Sequence, residues 1–364
     1  MQKITMNTSR TYDILIEDGL LASAAEHIAE ILPPEGRRCC LVCDKTVYKL
    51  YGHQLAPLHK GLTAAGYSVH TCTFDPGEGS KTLKTAAEIC RVMASKDFTR
   101  DDFIVALGGG VCGDLAGFAA SIYMRGVPFI QIPTTLLAMA DSSIGGKTGV
   151  NTDAGKNMLG TFWQPSLVLI DPKVLETLDQ AEVLNGLAEI IKAGFIADGT
   201  IFDSLSENLT EAIIKSINVK KAIVEADERE SGERRLLNLG HTIGHAIEKC
   251  SSYEVPHGCA VMNGMYLTSL AADDLEWSSA PVADLIRNVI DAFEYPVYKE
   301  FSAARLAEAA AGDKKRISDI IVIVYPDRPG CCETKELPVG ELEGFISRGL
   351  AKAKAVKAKA FRKG

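Results

Sequence analysis

Hydrophobic residues in the first half of the chain gather into short runs, and helix-spaced segments lie between most of them. Cys39–Cys43, Ser68–Phe74, Phe103–Leu107, Phe129–Ile132 and Leu167–Ile170 each read as a strand, the second following a helical stretch that ends near Gly66. Strands alternating with helices predict a mainly parallel sheet covered on its faces by helices. Ile4–Met6 and Tyr12–Ile16 add an expected hairpin at the start. After Asp171 the pattern changes. From Leu184 to about Asn288 strand-like alternation almost disappears, and stretches such as GLAEIIKAGFI and IGHAIEKC carry helical spacing. Pro172 marks the expected boundary. Ile317–Tyr325 is the exception, a single late strand, and from Ala351 the chain ends in an Ala/Lys tail with Lys352, Lys354, Lys357, Lys359, Arg362 and Lys363. The expected fold is an α/β, Rossmann-like N-terminal domain over 1–172, a mostly α-helical domain over 173–350 and a basic tail over 351–364.

A chain of 364 residues is long for one core, which agrees with two domains. Apolar residues at 46% and charged residues at 24% are an ordinary globular balance, and a net charge of −8 does not imply a nucleic-acid or membrane partner. No apolar run approaches the roughly 18 residues of a membrane span. Met1–Arg10 is polar, without the apolar core of a secretion signal, so the expected location is the cytoplasm. In that setting the ten cysteines are expected as thiols rather than disulfides. Cys40 and Cys43 form a CxxC, but it lies inside an apolar strand and no second CxxC completes a zinc site, so buried thiols are the favoured reading.

Three features carry chemistry. Gly108-Gly109-Gly110-Val111-Cys112-Gly113 follows an apolar strand, precedes a helical segment and fits G-x-G-x-x-G. Such a turn lets a backbone approach a diphosphate at a helix N-terminus, although glycines in this context also serve close packing. No acidic residue about 20 positions on matches the usual ribose acceptor, and Asp44, at the end of an earlier strand, is a better candidate. Glu78 and Lys81, at another strand end, could reach the same nucleotide. Second, three of the seven histidines fall between Leu237 and Gly258. With Glu189 they allow a set of Glu189, His241 and His257, two imidazoles and a carboxylate with one position left open. The alternative is that His241 and His245, four apart, are satisfied interior histidines. Third, Arg125, Lys147, Lys156, Lys192, Lys220, Arg234 and Lys314 sit beside glycines, amides or short polar residues. Each alone could be a solvated charge; together, in an acidic chain, they point to an anionic small molecule.

Eight strings, in order, resemble the 3-dehydroquinate synthase family of sugar-phosphate cyclases: PGEGSK, GGGVCGDLAGFAAS, YMRGVPFIQIPTTLLAMADSSIGGKTGVN, GKNMLGTFWQP, GLAEIIKAG, DERESGERRLLNLGHTIGHAIE, HGCAV and GDKK. The resemblance implies an NAD-binding N-terminal domain, a helical C-terminal domain, an active site in the cleft between them and a homodimer. NAD would sit near Asp44, Glu78, Lys81, Gly108, Gly109, Gly110, Asp114, Thr134 and Thr135. Glu189, His241 and His257 would hold zinc or cobalt. Substrate would meet Asp141, Lys147, Asn157, Lys192, Lys220, Arg234, Asn238, His245 and Lys314, with Arg125 reaching the partner subunit's site. The implied reaction turns 3-deoxy-D-arabino-heptulosonate 7-phosphate into 3-dehydroquinate and phosphate, by transient NAD-dependent oxidation, phosphate elimination, re-reduction and aldol closure. Cys259 departs from the family, which often has Glu there. Three rivals stand beside this reading. A sibling cyclase is disfavoured by Asn238 and His245, a metal-dependent polyol dehydrogenase would not need the lysines, and a non-enzymatic nucleotide-binding regulator would not need the whole set.

Overall fold

A computed structural model describes all residues except Tyr51, Ala154, Lys299, 313–318 and 361–364, and only the backbone of 50, 52–56 and 356–360. The chain divides into two compact units, Met1–Glu182 and Val183–Gly364. The division falls some way after Pro172, in the first turn of a helix.

The first unit contains β1 (Gln2–Asn7), β2 (Thr11–Ile16), α1 (Ala24–Ile31), β3 (Arg38–Asp44), α2 (Lys45–Leu50), α3 (Gly52–Ala64), β4 (Ser68–Phe74), α4 (Leu83–Ser95), β5 (Phe103–Gly108), α5 (Gly110–Ile122), β6 (Phe129–Pro133), β7 (Lys147–Thr152), β8 (Gly155–Phe162) and β9 (Leu167–Ile170). Seven strands make one sheet in the order β1-β2-β9-β6-β5-β3-β4. All neighbours are parallel except β1 and β2, the expected hairpin. Every residue of β5 and β6 is buried, which explains the unbroken apolar sequence of β5; β6 is apolar apart from the buried Gln131. Cys40, Val42, Ile104 and Ala106 pack with Leu115, Ala116 and Ala119 of α5 in one core cluster.

From β3 the chain moves outward to β4; from β5 it moves the other way, through β6 to β9. The direction reverses between β3 and β5. In open parallel sheets the crevice at the carboxyl ends of two such strands is where ligands bind. Here those ends are Asp44 and Gly108.

The β7–β8 hairpin was not expected. Its residues, KTGVNT and GKNMLGTF, are rich in Gly, Asn and Lys and carry little of the hydrophobic pattern that marks a strand. The register brings Gly149 opposite Gly160, and a Cβ on Gly149 would lie 2.7 Å from Leu159 O.

The second unit is mostly helical: α6 (Gln180–Ile196, whose first residues precede the unit boundary), α7 (Ile201–Glu207), α8 (Leu209–Ala226), α9 (His241–Cys250), α10 (His257–Asp274), α11 (Ala283–Ala292), α12 (Ala303–Ala311) and α13 (Leu342–Ala360). The late strand is described from Ile320 to Arg328 as β10, and Ile317, where it was expected to begin, lies outside the described residues. It pairs with an unexpected partner, β11 (Cys331–Pro338), whose mostly polar CCETKELP conceals it. The basic tail begins within α13, where Arg348 and Lys352 each meet Asp274 at 2.8 Å. Among the described residues no helix is long and apolar enough to cross a membrane.

Candidate functional site

In the first unit, β5 turns into α5 through Gly109, and no side chain caps the helix there, so its first N–H groups have no side-chain acceptor. The glycines are required on two counts. A Cβ on Gly108 would lie 2.6 Å from the Cys112 Cβ, and one on Gly113 would overlap Gln131 Oε1, so these two serve packing. A Cβ on Gly109 would crowd Thr135, whose hydroxyl accepts from Ala138 N at 3.2 Å, and one on Gly110 would meet Ser142 Oγ at 3.0 Å. Thr134 N donates to Gly108 O at 3.0 Å, which ties the end of β6 to the turn.

Asp44 stands at the neighbouring strand end. Its Oδ1 accepts from Thr46 N at 2.7 Å and Val47 N at 2.9 Å, while Oδ2 lies 3.8 Å from where a Cβ on Gly108 would be. One carboxylate oxygen therefore starts α2, and the other faces the glycine turn. Lys81 is buried and paired with Asp114 of α5 at 2.5 Å. Burial alone would lower the Lys81 pKa, but Asp114 and Glu78 outweigh it and raise it, so the ammonium stays charged. Glu78 accepts from Asn151 Nδ2 at 2.7 Å, and Asn151 Oδ1 accepts from Asn157 N at 2.8 Å. This chain of contacts connects the strand-end loop to the β7–β8 hairpin, which also presents Lys147 at its exposed start. Asp141 is half-buried in the π-helical turn Ala138–Ser142. An uncapped helix N-terminus at the switch point, with a carboxylate on the adjacent strand, fits a dinucleotide.

Arg125 is not with these groups. It follows the far end of α5, a helix about 20 Å long. Met124 and Arg125 there adopt φ of 48° and 69°, followed by Gly126, on whose missing side chain Trp163 packs.

The second unit brings Glu189, His241 and His257 together. Glu189 lies on α6, within a run buried continuously from Asn185 to Ile196. His241 and His257 are the first residues of α9 and α10. Glycines let these helices meet: a Cβ on Gly264 would overlap Gly240 O, and one on Gly258 would lie 2.6 Å from Asn185 Cα on α6. Glu189 Oε2 takes an ion pair from Lys192, also buried. Glu189 Oε1 is buried without a hydrogen-bond partner, yet lies 3.7 Å from His241 Nε2 and 3.5 Å from His257 Nε2. Those separations are long for hydrogen bonds and suit three donors around one ion, since ligands about 2.0–2.1 Å from zinc at tetrahedral angles stand roughly 3.4 Å apart. The donor set therefore fits a divalent metal. Burial would raise the Glu189 carboxyl, but the charges of Lys192 and His257 hold it below the usual carboxylate range. Burial pushes His257 down, but Glu189 and Glu248 outweigh this and raise it to about 9.

His245 lies beside this set, its ring centroid 5.2 Å from that of His241. The Glu248 Oε2 carboxylate oxygen lies 4.0 Å from His245 Nε2. Lys220 is buried on α8, and Arg234 is almost fully buried and donates to Glu228 O. Asp227 shapes their loop by accepting from Ser231 N at 2.9 Å, Gly232 N at 2.6 Å and Arg234 N at 3.2 Å. Asn238 Nδ2 donates to Glu230 Oε1 at 2.8 Å. Lys314 lies outside the described residues. Sequence reasoning did not single out Asp227 and Glu230, although both lie in the string DERESGERRLLNLGHTIGHAIE, because their spacing marks no site by itself. It also missed Glu248, which the spacing could have revealed: in HAIE it falls three residues after His245 and on the same helical stripe.

The sequence models described as 3-dehydroquinate synthase N-terminal and 3-dehydroquinate synthase C-terminal match residues 71–185 and 186–316. A protein named 3-dehydroquinate synthase from Streptococcus sanguinis is 43% identical over 349 residues, covering 93% of this chain and 97% of that protein. Among solved structures, a 2-epi-5-epi-valiolone synthase from Streptomyces hygroscopicus with NAD+ and Zn2+ bound superposes with a TM-score of 0.83 at 30% identity, covering 97% of this chain and all of that one. A 2-deoxy-scyllo-inosose synthase complexed with carbaglucose-6-phosphate, NAD+ and Co2+ gives 0.85 at 24% identity over 96% of this chain and all of that one, a likeness of fold.

Proposed function

The chain belongs to the 3-dehydroquinate synthase family, and from that premise we propose that it is a lyase that converts 3-deoxy-D-arabino-heptulosonate 7-phosphate to 3-dehydroquinate and phosphate, using NAD and one divalent metal ion. The observation that carries the reading is Glu189 Oε1, a buried carboxylate oxygen without a hydrogen-bond partner, facing two imidazole nitrogens. The 43% identity to a 3-dehydroquinate synthase, against 30% and 24% to cyclases named for other products, favours this product over theirs.

When bound, NAD would take up and return a hydride while the ion polarised the substrate's hydroxyl and ketone oxygens. Glu189, His241 and His257 would hold the ion, zinc or cobalt, with Lys192 occupying the second oxygen of Glu189. Asp44 Oδ2 would accept from the ribose hydroxyls, the N-terminus of α5 would face the diphosphate, and Gly109, Gly110, Thr134 and Thr135 would line the same turn. The Lys81–Asp114 pair, with Glu78, would fix the neighbouring loop. Lys147, Asn157 and Lys314 would take the substrate phosphate, with Arg125 supplied by the other subunit of a homodimer; the placement of Arg125 at the far end of α5 supports a role outside its own chain's nucleotide site. Asp141, Lys192, Lys220, Arg234 and Asn238 would hold the substrate's hydroxyl and carboxylate groups, and His245 would carry a proton beside them. All ten cysteines are free thiols, which supports a reducing compartment such as the cytoplasm.

The test is incubation with the heptulosonate phosphate, catalytic NAD+ and zinc or cobalt, followed by assay of phosphate and product. Equal yields of phosphate and 3-dehydroquinate without NADH accumulation are expected. Stoichiometric NADH without phosphate would make the protein a dehydrogenase, and phosphate with a different carbocycle would make it a sibling cyclase.

A further inference from the structure

His257 has a carboxylate at each ring nitrogen. Its Nε2 lies 3.5 Å from Glu189 Oε1, and its Nδ1 lies 3.4 Å from Glu248 Oε2. Glu248 is only 3% exposed, and a carboxylate buried so deeply is retained only where partners compensate its lost hydration. His241 offers the comparison. Its Nε2 also faces Glu189 Oε1, while its Nδ1 is 3.1 Å from Leu239 O, a backbone carbonyl that can only accept. A neutral imidazole that presents a lone pair at Nε2 must carry its proton at Nδ1. Both histidines therefore have an acceptor where that proton must be, and both direct the other nitrogen at the same oxygen.

We infer that Glu248 is a positioning residue of the metal centre: by accepting the Nδ1 proton of His257 it fixes the tautomer and ring angle that present Nε2 to the ion. The inference rests on reading Glu189, His241 and His257 as that centre. The two acceptors differ in kind. Leu239 O is rigid and neutral, whereas Glu248 is charged and strengthens the imidazole as a donor. Its place on α9, on the stripe that carries His241 and His245, links the ring of His257 on α10 to the helix bearing the other imidazole ligand. The same Oε2 lies 4.0 Å from His245 Nε2, so one carboxylate adjoins both the inferred ligand and the neighbouring histidine. His245, Glu248 and His257 also lie close enough to one another to form a three-donor set themselves, which is the competing assignment.

The test titrates metal-free full-length protein with Co2+, reading the visible ligand-field bands and the dissociation constant against a competing chelator. Glu189→Ala serves as the control for the centre itself and should lose the bands. Glu248→Ala should bind Co2+ about 10–100-fold more weakly, with shifted bands. Glu248→Gln, whose amide oxygen can still accept from Nδ1, should fold like the parent and lose less than tenfold. Wild-type affinity and an unchanged spectrum in both folded Glu248 variants would overturn the inference while leaving the centre standing. Co2+ retained by Glu189→Ala but lost by Glu248→Ala and His245→Ala would overturn both, and move the ion to the competing set. A wild-type protein that binds no Co2+ would end the metal-centre reading and the inference with it.

Discussion

Gly264→Ala is a small change whose sign tests how the two histidine-bearing helices are held together. In the interior of an unconstrained helix, alanine is more favourable than glycine by about 1 kcal/mol. Here the added Cβ would overlap Gly240 O and lie 2.8 Å from Gly244 N and 2.9 Å from Gly240 C. All three are backbone atoms, so no rotamer change relieves the contact and the start of α9 must retreat from α10 by about an ångström or more. Overpacking that forces backbone movement costs about 1–3 kcal/mol, and the absence of a flexible neighbour places this case near the upper end. Offsetting the helix-propensity gain leaves a net loss of about 2 kcal/mol, equivalent to a fall in melting temperature of roughly 4–8 °C for a unit of this size. His241 starts α9 and His257 starts α10, so the same displacement changes the distance between two metal donors. Metal centres tolerate about 0.2 Å, so affinity for zinc or cobalt should fall by about tenfold or more. Differential scanning calorimetry and a chelator-competition titration measure the two effects. Gly199→Ala is the control, because its Cβ would meet nothing within 4 Å and should change stability by no more than about 0.5 kcal/mol. An unchanged or raised melting temperature with wild-type metal affinity in Gly264→Ala would refute the close-approach argument.

Three further outcomes follow from the same geometry. Glu189→Gln, His241→Ala and His257→Ala should each fold and each lose the bound ion, about one per chain in the parent, together with phosphate release; elemental analysis after gel filtration checks this, and full activity after exhaustive chelation would contradict it. Asp44→Asn keeps an oxygen for the start of α2 but loses the charge offered to the ribose, so NAD+ binding should weaken about 10–100-fold by calorimetric titration; an affinity within twofold of the parent would remove Asp44 from the nucleotide site. The Cys259 thiol is buried and its pKa is pushed up to about 11 by that burial, so at pH 8 roughly one in a thousand is thiolate. Iodoacetamide at that pH should label the half-buried Cys331 first, and peptide mass spectrometry showing early Cys259 modification would contradict the burial.

The kinds of element, and the order in which they come, were legible in the chain because each is specified locally. Strands such as FIVALG are buried on both faces and so read as unbroken apolar runs, and the glycine turn advertises itself because no other residue fits between β5 and α5. The candidate site residues were legible through motif strings, which name residues without saying what each touches. Hairpins built from glycine, asparagine and lysine, such as β7–β8, were not legible, because their stability comes from backbone pairing that leaves no hydrophobic period. Only the tertiary structure decided which residues meet. Asp44 faces Gly108 because β3 and β5 are neighbours where the sheet reverses its order. Glu189 directs one oxygen at Lys192 and the other at two imidazoles because glycines allow α6, α9 and α10 to pack backbone to backbone. The division of labour between His245 and Glu248 belongs to the same class. Spacing puts both on one helical stripe, but only the packing of α10 against α9 puts the ring of His257 within reach of Glu248.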